Sequence, residues 1–569
     1  MDPANEPVVS LLNEIADILE LTGSDRFRPI AYRRAARTVE ALPKPISEYI
    51  RDGTISELPG IGEAISQKIK EFVTTGRLAY LDNLKKGIPE SLLELLKLQD
   101  LGPKKVGRLF FELKITNMDE LEKACLEHRV QKLKGFGEKT EQKILQSIRF
   151  YRGSRRFLLS EGDEVAERII EILRPHVSRI DAAGSLRRRK ETVGDIDIIA
   201  SSPRPSEVMD RFTSIDDIET IIAKGETKSS ILLKSGIQVD LRVVEDNCYG
   251  AALLYFTGSK DHNVQLRNIS IDKGMKLNEY GLFRRESEEL LSCSTEQEIY
   301  ATLGLDYIVP ELREARGEIE AAASHRLPKL VELKQVRGDL HVHTNWSDGS
   351  SPLEEMIEAA KQLHYEYIGI SDHSPSEKIA NGLSVERMKE QIKRIARLRD
   401  KESEIHVLCG SEVDILPDGS LDYPDEILSQ LDFVIASVHS RFNMEKQEMT
   451  KRLLNAISND YVTAIGHPTG RQLGRREAYS FDADTVFREA AEKGVLLEIN
   501  GSPERLDLND ALVMEASKFK CKFLLSTDAH HRTSLLNMKY AIAMARRGWL
   551  EAEAVANTLS FSRFSKLLN

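Results

Sequence analysis

The chain has 569 residues, too many for one hydrophobic core and enough for about three to five compact units at roughly 100–200 residues each. Its 41% hydrophobic and 30% charged residues are the balance of a folded globular protein, which excludes a disordered or fibrous chain. Lys+Arg number 80 against Asp+Glu 91, and the resulting net charge of −11 taken by itself argues against nucleic acid as a partner. The average conceals a basic segment, because residues 101–160 hold 14 Lys/Arg against 7 Asp/Glu. The longest apolar stretches, such as 251–256, fall far short of the roughly 20 residues of a membrane helix, and 1–7 lacks a basic leader, so a cytoplasmic protein with no membrane partner is expected. Five scattered cysteines without a C-x-x-C pair predict neither a disulfide framework nor a cysteine zinc site.

The first 150 residues carry helical periodicity, as at 8–21 and 92–113. Within them a hairpin signature occurs three times: Leu58-Pro59-Gly60-Ile61-Gly62, Leu98-Gln99-Asp100-Leu101-Gly102-Pro103-Lys104-Lys105 and Leu133-Lys134-Gly135-Phe136-Gly137-Glu138-Lys139. Each is predicted to lead into a helix, at 64–73, 104–113 and 140–149. Glycine lets the backbone approach a ligand closely, and the N–H groups of the following helix grip phosphate without reading sequence. The three segments resemble helix-hairpin-helix motifs that hold DNA backbones. Ordinary turns between helices can also carry glycine, but a threefold repeat, two copies of it with lysine just after the glycines, favours the phosphate grip.

From about residue 179 the pattern changes to short β-rich runs at 180–183, 196–201, 231–234 and 238–244. Gly184-Ser185 ends one run, Arg187, Arg188 and Arg189 follow, and Asp195 and Asp197 alternate on the next. Residues i and i+2 of a strand face the same side, so the two carboxylates converge, as paired metal-binding carboxylates must for in-line attack on phosphate. The run at 238–244 adds Asp240. A second Asp-x-Asp, Asp482-Ala483-Asp484, opens a predicted helix at 485–493 and reads as a cap.

The stretch GSLRRRKETVGDID, followed by VDLRVV, LLYFTGSKDHNVQLR and LNEYGLF, resembles the palm and nucleotide-binding region of family X DNA polymerases from the first helices to about residue 315. The resemblance implies that Asp195 and Asp197 hold two Mg²⁺ or Mn²⁺ ions, with Asp240 completing the ion at the primer 3′-hydroxyl. It further implies that Gly184, Ser185 and Arg188 contact the triphosphate of a dNTP, that Tyr255, Phe256, Thr257 and Gly258 pack on its sugar, and that Asn263 and Arg267 lie near the base and the template. Glu279 matches a carboxylate that orders the closed state. Lys260 departs from the acidic residue common at that position in animal relatives. In the N-terminal part Lys68 aligns with a Schiff-base lysine of deoxyribose-phosphate lyases, and Arg28 and Tyr32 fall near a 5′-phosphate pocket, although Ala64 replaces a helpful lysine.

Residues 310–334 are charged and Ala/Glu/Leu-rich, which predicts a helical connector and the main boundary. Beyond 338, short apolar strands alternate with amphipathic helices, as at 367–371 and 384–400, the pattern of parallel β/α units. Nine of the thirteen histidines lie between His341 and His531, and seven predicted strand ends finish in ligand-type residues. In a β/α barrel such ends gather on one face. Imidazole with carboxylate suits Zn²⁺, Mn²⁺ or Fe²⁺ better than Mg²⁺. His364, His406 and His531 lie off this pattern and are expected either at the surface or behind the ligands.

This array resembles the PHP (polymerase and histidinol phosphatase) domain, a distorted barrel holding up to three metal ions. Carried over by position, its ligands are His341, His343, Asp348, His373, Glu412, His439, His467, Asp528 and His530. Family X polymerases joined to this domain are of bacterial or archaeal type. The expected architecture is therefore multidomain: a helical lyase-like domain at 1–85, a helical DNA-binding subdomain at 86–150, an α+β nucleotidyltransferase palm at 151–245, a thumb-like nucleotide-selection subdomain at 246–315, a linker at 316–334 and a (β/α)7 PHP barrel at 335–569. The expected function is short-gap filling in base excision repair with metal-dependent 3′–5′ exonuclease or 3′-phosphatase action, and AP-endonuclease action as one the same site could carry. Partners would be gapped or primer-template DNA, held at Gly60, Gly62, Gly102, Lys104, Lys105, Gly135, Gly137 and Lys139, with Arg267 on the template side. A nucleoid-associated monomer is expected. Two alternatives stay open: chiefly a nuclease whose polymerase half mainly positions DNA, and a non-enzymatic DNA scaffold.

Overall fold

The structure, a computed structural model, describes residues 5–23, 27–40, 42, 44–98, 101–153 and 156–568, so Gln99 and Asp100 of the second hairpin lie outside the described residues. It divides into two compact units, Met1–Arg155 and Arg156–Asn569. The deepest division thus falls at 155 rather than in the 310–334 segment. Among the described residues, no helix is long and apolar enough to cross a membrane.

The first unit is all helix. Glu6–Leu21 buries Leu11, Leu12, Ile15, Ile18 and Leu19, an i, i+3, i+4 stripe that packs on Phe27–Glu40. A second core gathers Val106, Leu109, Leu121, Ile144 and Ile148. The helical periodicity at 92–113 breaks at the hairpin: Glu90–Glu94 tightens into a 3-10 turn at Leu95–Lys97, and the hairpin helix runs Pro103–Leu113, against 104–113 expected. Proline suits the first turn of a helix, where its missing N–H costs nothing, and so marks a restart there. The other two hairpin helices run Glu63–Thr75 and Glu138–Gly153, close to their predicted spans.

The second unit begins with a five-stranded sheet ordered Arg179–Ala182, Asp195–Ser201, Gln238–Val244, Lys228–Leu233 and Ile218–Lys224. Val239, Leu241 and Val243 face the core while Gln238, Asp240 and Arg242 face the other side, the alternation that a period of two requires. The edge strand Ile218–Lys224 escapes the sequence reading because its Ile221 and Ile222 are 44% and 51% exposed. Helices Tyr249–Thr257 and Lys260–Asp272 and a three-stranded sheet form the thumb-like part.

The segment expected as a helical connector holds one six-residue helix, Glu318–Ala323. Ile319, Ala322 and Leu330 join the thumb core, and buried Glu318 receives His262 Nδ1 at 2.7 Å. These burials fasten the segment to the thumb, which is why it does not extend as a free helix.

Seven parallel strands follow in chain order from Gly338–Asp339 to Phe523–Ser526, and a bridge between Val342 and Ala529 joins the first to the last. Inside, Leu340, Tyr367, Leu408, Phe433, Ile435, Ala464, Leu496 and Leu524 make a core closed by Phe564 near the C-terminus. A larger apolar cluster runs unbroken from palm residues such as Val239 to barrel residues such as Ile368. The capping role expected of Asp482 is present, since its side chain accepts from Thr485 N at the start of Ala483–Lys493.

A buried charge network ties palm to thumb. Arg187 reaches Glu296 through two bonds of 2.8 and 2.7 Å, and Arg313, 0% exposed, donates to the same carboxylate at 2.6 Å. Burial by itself would raise the Glu296 carboxyl, but Arg313 and Arg187 hold it at about 2. Because the folded value lies below the unfolded one, the stabilisation is complete above about pH 4.3 and is lost as pH falls towards 2. Replacing Glu296 by Gln leaves Arg313 buried without its countercharge and should cost about 3 kcal/mol at pH 7. The thermal midpoint of E296Q should lie several degrees below wild type at pH 7, with the gap closing between pH 4 and pH 2; equal midpoints at pH 7 would contradict this role.

Candidate active sites

In the palm, the Asp195–Ser201 and Gln238–Val244 strands are parallel neighbours, with Asp195 opposite Gln238 and Asp197 opposite Asp240. The register therefore sets three carboxylates side by side. Asp197 is pushed up to about 7, first by burial and then by Asp195 and Asp240, against the opposing pull of Arg242 and Arg188. Gln238 Nε2 holds Asp240 at 3.2 and 3.3 Å. Gly184 packs so tightly here that a Cβ would lie 2.3 Å from Asp197 Oδ2, and its φ of +58° favours glycine.

The arginines after Gly184 take different roles. Arg187 is consumed by Glu296 and Thr257 Oγ1, whereas Arg188 donates to the Thr257 carbonyl and to Glu314. Tyr255, Asn263 and Arg267 line one crevice together with Leu277 and Asn278, and Asn263 Nδ2 holds the Tyr255 carbonyl at 2.7 Å. Phe256 lies edge-on to Tyr255, under the Arg242 guanidinium. Glu279 sits one residue beyond this lining, and Lys260 is exposed at the start of its helix.

In the barrel all nine sequence-predicted ligands converge. Four groups of ligand atoms each lie within 4.8 Å of one another: His343, Asp348, His373 and His530; His341, His343 and Asp528; His373, Glu412 and His439; and, with two residues outside the nine, Glu377, Asp414 and His439. Glu412, 1% exposed, is the hub of the nine. One of its oxygens lies 3.2, 3.5 and 3.1 Å from nitrogens of His341, His343 and His373, and the other 3.2 and 2.8 Å from those of His439 and His467. His364, His406 and His531 are exposed as expected, and His406 stacks on Phe561.

Behind the ligands stands a layer of residues outside the predicted nine, although Asp372, Asp414 and Glu498 lie in the same strand-end runs of the sequence. Glu498 accepts from His341 Nδ1 at 2.5 Å and Asp414 from His439 Nδ1 at 2.6 Å, which turns each ring's Nε2 toward Glu412. Arg505 donates to Asp528 at 3.1 Å. Asp372 accepts from Thr344, Ser347 and Gln391, and so pins the loop that carries Asp348. Carboxylates that follow apolar runs, such as Glu498 and Asp372, were the available signal, but their partners are distant in sequence.

The donor set fits divalent ions. His341 Nε2, both ring nitrogens of His343 and His373 Nδ1 are buried without a hydrogen-bond partner, a cost that ligation would remove. Burial opposes charge on Glu412, and His341, His439 and His373 hold its carboxyl well below the usual range.

In the Met1–Arg155 unit the three hairpins repeat one geometry. Ile61, Leu101 and Phe136 N–H donate to the carbonyls of Leu58, Leu98 and Leu133, and Ser66, Val106 and Glu141 N–H to those of Gly62, Gly102 and Gly137. Gly60 and Gly135 have φ of +81° and +85°. The helix-starting glycines Gly62, Gly102 and Gly137 have nothing within 4 Å of where a Cβ would stand, so their backbone is open to approach. Lys104 lies 3.8 Å from Glu20, and Lys139 is exposed. Lys68 donates to the Ala64 carbonyl and lies 4.7 Å above the Tyr80 ring, which stacks on Tyr32.

A carboxylate-bearing palm with a thumb, joined to a barrel with a polynuclear ligand cluster, defines a two-site phosphoryl-transfer enzyme. Family models match in four places: a helix-hairpin-helix domain at 3–78, a SAM-like helix-hairpin-helix tandem at 92–149, a DNA polymerase beta thumb at 252–314 and a PHP domain at 339–502. The chain is 40% identical over 97% of both lengths to "DNA polymerase/3'-5' exonuclease PolX" of Bacillus subtilis, and it belongs to that family. The chain is also similar over part of its length to a "probable phosphatase" of Clostridium acetobutylicum, 36% identical over 34% of this chain and 78% of that one. A second "probable phosphatase", from Thermoanaerobacter sp., is 30% identical over 39% and 89%.

Gly184→Ala should thus disable the palm without touching the barrel, since the added methyl collides with Asp197 Oδ2. Primer extension by G184A is expected to fall by about 10²-fold or more, the scale of an ångström-level misplacement, while 3′ hydrolysis stays at the wild-type rate. Unchanged extension would show that Asp197 tolerates displacement.

Proposed function

We propose that this enzyme fills short gaps in damaged DNA with its palm and trims or unblocks 3′ ends with its barrel. The register that sets Asp197 opposite Asp240 beside Asp195, together with a nine-ligand cluster that includes the buried hub Glu412, supports this reading most directly. Asp195, Asp197 and Asp240 would hold two Mg²⁺ or Mn²⁺ ions, and the barrel ligands up to three of Mn²⁺, Zn²⁺ or Fe²⁺. Such ions supply Lewis-acid polarisation of phosphoryl oxygens and neutralise charge on entering and leaving oxygens.

The chain's own residues do the positioning. Gln238 fixes the Asp240 carboxylate, the Gly184 backbone fits against Asp197, and Arg188 presents a guanidinium beside the turn that would receive a triphosphate. Tyr255 and Phe256 form the wall on which the sugar would rest, with Asn263 and Arg267 in the adjoining crevice. In the barrel, Glu498 and Asp414 fix which nitrogens of His341 and His439 face the cluster, and Arg505 offers a cation near Asp528 for a phosphate. The basic hairpins would grip the DNA backbone. Lys68, over the Tyr80 ring that stacks on Tyr32, would be the nucleophile of a lyase step on a 5′-deoxyribose phosphate.

Asp240→Ala is expected to abolish filling of a one-nucleotide gap while sparing removal of a 3′-phosphate, and joint replacement of His341 and His343 by Ala should do the reverse. Time courses on both substrates decide the matter, and loss of both activities in either variant would overturn the two-site reading. For the hairpins, Lys139→Ala should weaken DNA binding alike for all sequences and reduce the slope of log K against log[salt] by about 1. An unchanged slope in fluorescence anisotropy would remove Lys139 from the interface.

A further inference from the structure

Arg547 ends the Met538–Arg547 helix of the PHP half, yet its bonds serve the polymerase half. The side chain is 2% exposed, and its Nη1 donates to the Arg188 backbone carbonyl at 2.6 Å and to Glu314 Oε1 at 3.0 Å. Its Nη2 is anchored by Asp510 at 2.5 Å, and Asp510 is shared with Arg316 at 3.1 Å. The same Glu314 oxygen accepts from Arg188 Nε at 3.1 Å. Arg547 therefore fixes Arg188 twice, through its main chain directly and through its side chain by way of Glu314.

The chemistry of the arrangement sharpens the role. Glu314 is 12% exposed and faces Arg188, Arg547 and, at 3.8 Å, Lys190. A carboxylate shared by Arg188 and Lys190 only would neutralise more of the charge that Arg188 can present to phosphate. Arg547, a second guanidinium on the same oxygen, draws on that carboxylate and leaves the turn after Gly184 more cationic. Its planar fork spans the Arg188 carbonyl, Glu314 and Asp510 at once, a task the single ammonium of lysine performs poorly. None of these bonds reaches the nine-ligand cluster of the barrel.

We propose that Arg547 is a positioning residue for the polymerase reaction: a guanidinium supplied by the PHP half that sets the pose of Arg188 toward the triphosphate of an incoming nucleotide. This rests on the reading of Arg188 as a triphosphate contact. Because Arg547 acts through binding pose and not through the reacting atoms, its loss weakens nucleotide binding more than turnover.

The test titrates dNTP in single-nucleotide gap filling by the full-length enzyme, as wild type, R547M, R547Q and R547K, with 3′-phosphate removal measured in parallel. R547M is expected to raise KM for dNTP about tenfold with kcat within about twofold, the signature of lost ground-state binding, and to leave 3′-phosphate removal unchanged. R547K, which keeps the charge on Glu314 without the fork, should recover part of the KM. A wild-type KM in R547M overturns the proposal. Should R547M lose both activities together, a wild-type KM in both R547Q and R547K overturns it, and a raised KM in either upholds it. A wild-type enzyme that fails to extend at all would instead overturn the polymerase reading on which the proposal stands.

Discussion

Glu412 is a fully buried carboxylate on which five imidazoles converge, and the barrel is organised around making that charge tolerable. A lone carboxylate taken out of water costs several kcal/mol even after relaxation. The cost is met here by paired charges in depth: histidines next to Glu412, then Glu498, Asp414 and Arg505 behind the histidines and Asp528. Each outer residue fixes the orientation of an inner one. The seven parallel strands matter because their ends bring those residues to one place at fixed separations.

The palm solves the same problem in a smaller space. Burial, and then the repulsion of Asp195 and Asp240 that strand register brings beside it, push Asp197 up to about 7. Cations relieve that repulsion, and the arginines around the site are deployed unequally. Arg187 is spent on holding the thumb through Glu296, whereas Arg188 stays close enough to Asp197 to stabilise its charge. Both halves thus gather ligand atoms that suit metal ions, three crowded carboxylates in the palm and buried imidazole nitrogens without hydrogen-bond partners in the barrel, and positive side chains at the margin set where a phosphate would come to rest.

The net charge of −11 illustrates why an average misleads for such a protein. Part of the acidity is concentrated in the carboxylates of the two sites, and part lies in residues 401–450, with 11 Asp/Glu against 3 Lys/Arg. The basic segment at 101–160 belongs largely to the separate helical unit. There the hairpin glycines leave backbone N–H groups open, a means of holding phosphate that no charge count registers.

Much was legible from the sequence because its signals are local. Alternation along 238–244 placed Asp240 on the face opposite Val239 and Leu241, the repeat of leucine and glycine marked three hairpins, and ligand-type residues after apolar runs marked the barrel's ends. The rest was decided by tertiary structure. Glu296 meets Arg187 across 109 positions, Glu498 meets His341 across 157, and Arg547 meets Glu314 across 233. The connector at 310–334 has helix-forming composition, yet the burial of Glu318 against His262 and of Ile319 in the thumb core gave most of it another course. Periodicity and residue type are properties of neighbouring backbone, so the sequence by itself determined which chemistry each segment carries. Which charge answers which depends on how distant elements cross, and only the folded chain decides that.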